Sequence, residues 1–148
     1  MQNWIMLIVA VIIGTAMPTQ AAINSKLAAY VESPILAALI SFLVGTVALL
    51  LYCIFGGIPL SNLALSKNAP PVAWLGGIIG AIFVGSVAYM TPRLGVALLF
   101  SLIILGQMLV TLLIDHYGFL GIPVKEINAP RLIGVLLVIA GVIVIRRF

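Results

Sequence analysis

Long apolar stretches separated by short polar ones run the length of the chain, from about Trp4 to Ala22, Pro34 to Phe55, Val72 to Tyr89, Val96 to Ile114 and Leu132 to Ile145. A helix rises about 1.5 Å per residue, so roughly 20 residues cross the ~30 Å hydrocarbon core of a bilayer. Each stretch approaches that length, the fifth with help from Arg131 and Arg146, whose heads can snorkel to the interface. The pattern predicts an all-α integral membrane protein with five transmembrane helices, forming a single membrane domain over residues 1–148.

The third and fourth stretches are separated only by Thr91, Pro92, Arg93, Leu94 and Gly95. A guanidinium at the bilayer centre costs at least ~3 kcal/mol on insertion scales, and Pro92 followed by Gly95 is turn chemistry. The segment therefore reads as a tight turn at a membrane surface between two helices. The first stretch, ahead of Thr19, Gln20, Ala21 and Ala22, superficially resembles a secretory signal. It lacks a basic leader, since Gln2 and Asn3 precede Trp4, and its apolar run is longer than the usual ~7 to 15 residues, so it reads as the first helix.

Local chemistry marks the boundaries. Ser33 before Pro34, with Glu32 alongside, is an N-cap and N1 pair that starts the second helix, and Asn128 with Pro130 does the same for the fifth. Trp4, Trp74 and Tyr89 lie near span ends, where amphipathic rings anchor at the headgroups. The loop from Gly56 to Pro71 is rich in Gly, Pro, Ser and Asn and reads as surface, with no catalytic character.

Composition agrees: 64% hydrophobic and 7% charged residues leave no stretch for a separate soluble domain. The net charge of +4 comes from basic residues set singly at helix ends, unlike a nucleic-acid surface. Cys53 is the only cysteine, which excludes an internal disulfide and a cysteine metal site within one chain. The distribution of charge is more informative. Five crossings put Lys67, Lys125 and Arg131 on the side of the N-terminus and Lys26, Arg93, Arg146 and Arg147 on the other. Orientation follows the Lys and Arg bias of short loops, and three against four is hardly a bias. The expected consequence is insertion in both orientations and an antiparallel dimer.

Small and polar residues mark the faces of the helices. Gly76, Gly77, Gly80 and Gly85 of the third helix, with Ala37, Ser41 and Gly45 of the second, form small-xxx-small patterns for close packing. Gln107, Thr111 and Asp115 recur four apart along one face of the fourth helix, and Gln20 and Asn24 extend the first in the same way. Cavity lining and structural bridging stand level for Gln107, whereas Ser41, Thr46, Ser86 and Ser101 read as structural first. Asp115 sits at a helix exit and reads as a structural pairing partner ahead of a coupling role. His116 beside it makes a poor metal site without further ligands. Inversion of a partner chain would bring its Arg93 to the same membrane face as Asp115, offering an intersubunit pair.

The segments QAAINSKL, SPILAALISFLVGT, AWLGGIIGAIFV, PRLGVALLFSLIILGQ, LLIDHYGFLGIP and RLIGVLLVIAGVIVIRR resemble, in order and spacing, the YdcZ-type branch of the drug/metabolite transporter superfamily. The resemblance implies a five-helix unit equivalent to half of a ten-helix inverted-repeat transporter of the EamA kind, completed by antiparallel dimerisation with itself or with an inverted paralogous chain. It also implies a multi-pass place in the bacterial inner membrane. The recurring family positions fall here on Gln20, Asn24, Ser41, Gly45, Gly76, Gly77, Gly80, Gln107 and Asp115. The small multidrug resistance proteins, related antiparallel dimers, use a first-helix glutamate, but no acidic residue lies between Trp4 and Ala22. Export of cations by that mechanism is not expected, and a neutral or anionic metabolite fits better.

The expected function is thus a secondary transporter or exporter of a small metabolite, working by alternating access as an antiparallel dimer without a cofactor. Inverted halves place such a site at their midplane interface. The expected substrate pathway comprises Gln107, Thr111, Asp115, Gln20, Asn24, Ser41 and Tyr89. The alternative is a membrane interaction or assembly protein that carries nothing. An enzyme is not expected, because the sequence offers no nucleophile with its base, no paired carboxylates and no metal cluster.

Overall fold

The computed structural model describes residues 4–148. Gln2 and Asn3, used in the signal-sequence reading, lie outside them. The described residues form helices α1 (Trp4–Gly14), α2 (Ala16–Tyr30), α3 (Pro34–Phe55), α4 (Leu75–Leu94), α5 (Val96–Tyr117) and α6 (Ala129–Arg147), with short 3₁₀ turns and no strand. Five spans are long and apolar enough to cross a membrane, α1 and α2 together making the first, Trp4–Tyr30. The helices divide after Arg93 into two compact units.

The second span, Pro34–Phe55, coincides with its apolar stretch, and the other four run beyond theirs, because backbone hydrogen bonding continues past the point where the side chains turn polar. The first span has 27 residues, ~40 Å at about 1.5 Å per residue, so its last turns around Lys26 stand at the headgroup level. The interruption at Thr15 has a backbone cause. Pro18 has no N–H to offer the carbonyl of Gly14. Thr15 and Thr19 instead turn their hydroxyls back to the carbonyls of Ile12 and Thr15, at 2.7 and 2.8 Å.

The turn expected over Thr91 to Gly95 is shorter than the sequence indicates. Thr91, Pro92, Arg93 and Leu94 continue α4, and the helix breaks only at Gly95, whose φ of 75° suits glycine. Proline withholds one donor but leaves the helical φ intact. The carbonyls on either side of the one it strands are served by side chains: Thr91 Oγ1 donates to Val87 at 2.7 Å, and Arg93 Nη1 donates to Tyr89. The N-caps agree with the sequence reading. Ser33 accepts from the Leu36 amide at 3.2 Å and Asn128 from the Arg131 amide at 3.1 Å.

Between α2 and α3 the chain closes a Schellman-type turn through its 6→1 bond, the Ser33 amide donating to the Ala28 carbonyl at 3.1 Å, after the last helical bond from the Val31 amide to Leu27. The residue at its left-handed position is Glu32, with φ 53°, where glycine would be free of strain. A side chain there costs about 1–2 kcal/mol.

In the first unit the buried positions are mostly alanines: Ala21 and Ala28 of α2, Ala37 and Ala38 of α3, and Ala88 of α4. With Asn24, these small residues let the helices pack closely, as expected where lipid offers no hydrophobic drive and van der Waals contact must hold the helices together. A methyl group built on Gly85 would lie 3.0 Å from Ile35 Cδ1, and one on Gly80 3.5 Å from Phe42 Cζ. Gly45, Gly76 and Gly77 meet nothing within 4 Å. Within this chain, then, the close approach on α4 is at Gly80 and Gly85. Gly85→Leu is expected to destabilise the first unit by about 1–3 kcal/mol through overpacking. Gly76→Ala and Gly77→Ala should leave it unchanged or slightly more stable. Thermal unfolding in detergent checks both.

The second unit packs α5 on α6 through Leu99, Leu112, Val135 and Val142. Gly118, at φ 63°, caps α5, and a methyl group there would fall 2.7 Å from Val124 Cγ2, so only glycine fits.

Candidate functional site

Three polar groupings stand out, two in the first unit and one in the second. The first is a cavity of about 240 Å³ between α2 and α3, lined by Gln20, Ser41, Phe42, Gly45, Thr46 and Leu49. Gly45 is the twelfth of the 22 residues of α3, and Gln20 lies ~15 Å along α2 from its C-terminal end. The cavity is therefore near mid-depth. Thr46 Oγ1 is committed to its own helix, donating to Phe42 at 2.8 Å. Gln20 and Ser41 line the cavity with Gly45 and Leu49. Asn24, one turn on from Gln20, is a buried polar residue of α2, 4% exposed. Small residues at 41 and 45 open the space, which is why the sequence pattern that signals packing here marks a cavity instead.

The second grouping is a larger cavity of about 580 Å³ at the membrane face where α2 ends and α3 begins. Lys26, Glu32, Tyr89 and Arg93 line it, with Ser25 and several alanines. Arg93 folds back over the Tyr89 ring, its Cζ 3.5 Å from the ring centroid. Tyr89 is half exposed and also lines a neighbouring apolar cavity of about 400 Å³ with Gly85, Ser86 and Met90. Lys26, Glu32 and Arg93 were not among the expected pathway residues. Their shared location is legible from the span count, which puts all three on one side, but the convergence of the end of α2 with the end of α4 is tertiary.

In the second unit Gln107 lies at the middle of α5, exposed at the surface of this chain. Thr111 bonds back to Met108 at 3.1 Å. Asp115 Oδ2 accepts from Arg131 Nη1 at 3.2 Å, the one ion pair among the described residues. The same nitrogen reaches the Lys125 carbonyl at 3.2 Å, the Lys125 amide donates to the Asp115 carbonyl at 2.8 Å, and the Ile127 amide to His116 Nδ1 at 3.3 Å. Asp115, His116 and Arg131 thus pin the loop after α5 against the helix end. Arg131 reads in the sequence as an interfacial anchor; its contact with Asp115 spans 16 residues and leaves no local trace. Asp115→Asn and Arg131→Gln are each expected to lower stability modestly. A double-mutant cycle on thermal unfolding should show a coupling of about 0.5–1 kcal/mol, as for other partly exposed pairs.

Five apolar spans with polar groups at mid-depth, and no extramembrane domain within the described residues, define a small multi-pass membrane protein. The chain belongs to the family described as "Putative inner membrane exporter, YdcZ", whose model matches residues 5–144. It is accordingly a multi-pass inner membrane protein of an exporter family. No curated protein and no solved structure matches the chain.

Proposed function

We propose that this protein is a secondary exporter of a small metabolite and that its working unit is an antiparallel pair of these five-helix chains, moving substrate by alternating access. The observation that carries the reading is the mid-depth cavity in which Gln20 and Ser41 present polar groups inside two apolar spans. Polar side chains at that depth are costly in hydrocarbon and belong on a water-filled or substrate-filled surface. Gln107, exposed at the middle of α5, requires the same relief, and an inverted second copy would supply it at a midplane interface. Lys67, Lys125 and Arg131 against Lys26, Arg93, Arg146 and Arg147 leaves the chain free to insert both ways.

In this reading Gln20 and Ser41 contact substrate, Asn24 holds the α2–α3 seam behind them, and Gln107 lies at the pairing interface. Asp115 and Thr111 serve the fold of the second unit. Tyr89 belongs to the outer cavity. The proposal is tested with proteoliposomes containing only this chain, loaded with the small-molecule fraction of a cell extract. Mass spectrometry should find at least one solute that leaves faster than from protein-free vesicles. If no solute moves, the chain is a membrane assembly protein whose polar faces join it to other helices.

A further inference from the structure

The cavity at the end of α2 has its own chemistry, independent of the mid-depth cavity and of any transport cycle. Its volume, about 580 Å³, lies within the about 300–1,000 Å³ of small-molecule sites. Two cations line it, and neither Lys26 nor Arg93 is paired with a carboxylate among the described residues. Arg93 does not simply extend toward water. Its guanidinium is laid on the Tyr89 ring, with Nη1 fixed to the Tyr89 carbonyl. That contact uses one of five donors and holds the planar group in place, so the remaining donors are presented with little loss of freedom. Glu32 brings a carboxylate to the same cavity from a left-handed backbone position where glycine would be unstrained. Strain retained beside a cavity is a pointer to use.

We propose that this cavity binds a zwitterionic ligand, with a phosphate or carboxylate held by Lys26 and Arg93 and a primary ammonium held by Glu32. A purely anionic ligand would be repelled by Glu32, and a purely cationic one by the two basic groups. Two sources offer this chemistry at the headgroup level: an aminophospholipid headgroup and a free zwitterionic solute.

The test uses the whole chain, purified and delipidated in neutral detergent. Native mass spectrometry compares retention of phosphatidylethanolamine and phosphatidylglycerol, and thermal shifts are measured with glycerophosphoethanolamine and with leucine. Preferential retention of phosphatidylethanolamine assigns the site to a lipid headgroup. A thermal shift with a soluble zwitterion, with neither lipid retained, assigns it to a solute. In either case Arg93→Gln and Lys26→Gln should weaken binding about tenfold, the loss expected for a charge-assisted hydrogen bond. Glu32→Gly provides the decisive separation of folding from binding. It relieves the left-handed strain, so the variant should melt no lower than the wild type while binding falls about tenfold. The proposal is overturned if phosphatidylglycerol is retained as well as phosphatidylethanolamine, if Glu32→Gly binds as tightly as the wild type, or if none of the four probes binds.

Discussion

Two variants of this chain with opposite charge bias should each lose export about tenfold and recover it when produced together. Replacing Lys67 and Lys125 by Gln leaves Arg131 alone on one side against Lys26, Arg93, Arg146 and Arg147 on the other. The reciprocal variant combines Arg146→Gln and Arg147→Gln with Ser61→Lys and Asn62→Lys in the exposed 3₁₀ segment Leu60–Asn68. Lys and Arg in short loops set orientation, so the two variants are driven in opposite directions. If bias shifts an even split to about 20:1, the minority orientation limits pairing and the paired fraction falls about tenfold. None of these substitutions touches the mid-depth cavity, and Lys125 joins the Asp115–Arg131 contact through its backbone, which Gln retains. Efflux from vesicles carrying one variant, the other, or both checks the prediction. Activity that survives in a single variant with uniform orientation would show that an inverted copy is not needed.

The second large effect is expected at the mid-depth cavity. Ser41→Phe should lower efflux by at least about tenfold while the chain still folds, because the ring enters a space of about 240 Å³ that small residues keep open. Gln20→Leu removes an amide and leaves the shape nearly unchanged, so its loss should be smaller, about three- to tenfold, the range for one hydrogen bond. Thr46→Val separates contact from proximity. Its hydroxyl already bonds to Phe42, so this variant should export nearly as well as the wild type. Equal losses in all three would mean that the cavity is only a packing feature. Helical content by circular dichroism, together with elution as a single species, shows that the folded state is retained in each.

The contrast between these residues shows what was legible in the sequence. Five spans, the breaks between them and the two helix N-caps follow from local quantities: apolar run length, Pro and Gly placement, and a polar side chain three residues before an unpaired amide. The ends of the helices were less legible, because polarity changes before hydrogen bonding does. Thr91, Pro92 and Arg93 look like a turn by composition yet stay helical, since Thr91 and Arg93 service nearby carbonyls. Small residues were ambiguous for a physical reason. The same short side chain permits close contact at Gly85 and leaves a cavity at Ser41 and Gly45, depending on what the neighbouring helix presents. The actual seam is built largely from alanines, which carry no distinctive signal in a chain this apolar. The Lys26, Glu32 and Arg93 grouping joins α2 and the turn after it to the end of α4. A count of loop charges puts them on one membrane side, but only the packing of α2 and α4 on α3 brings them to one cavity.

Orientation in the membrane is the point on which the functional reading depends most. The direct measurement places a single cysteine after Phe148 in a Cys53→Ser background and labels it with a membrane-impermeant reagent, first in intact cells and then in opened vesicles. Labelling of about half the molecules from each side is the result predicted by the balanced Lys and Arg count, and it makes the antiparallel pair available to this chain alone. Labelling of every molecule from one side would contradict the account and direct the search to a separate inverted partner chain.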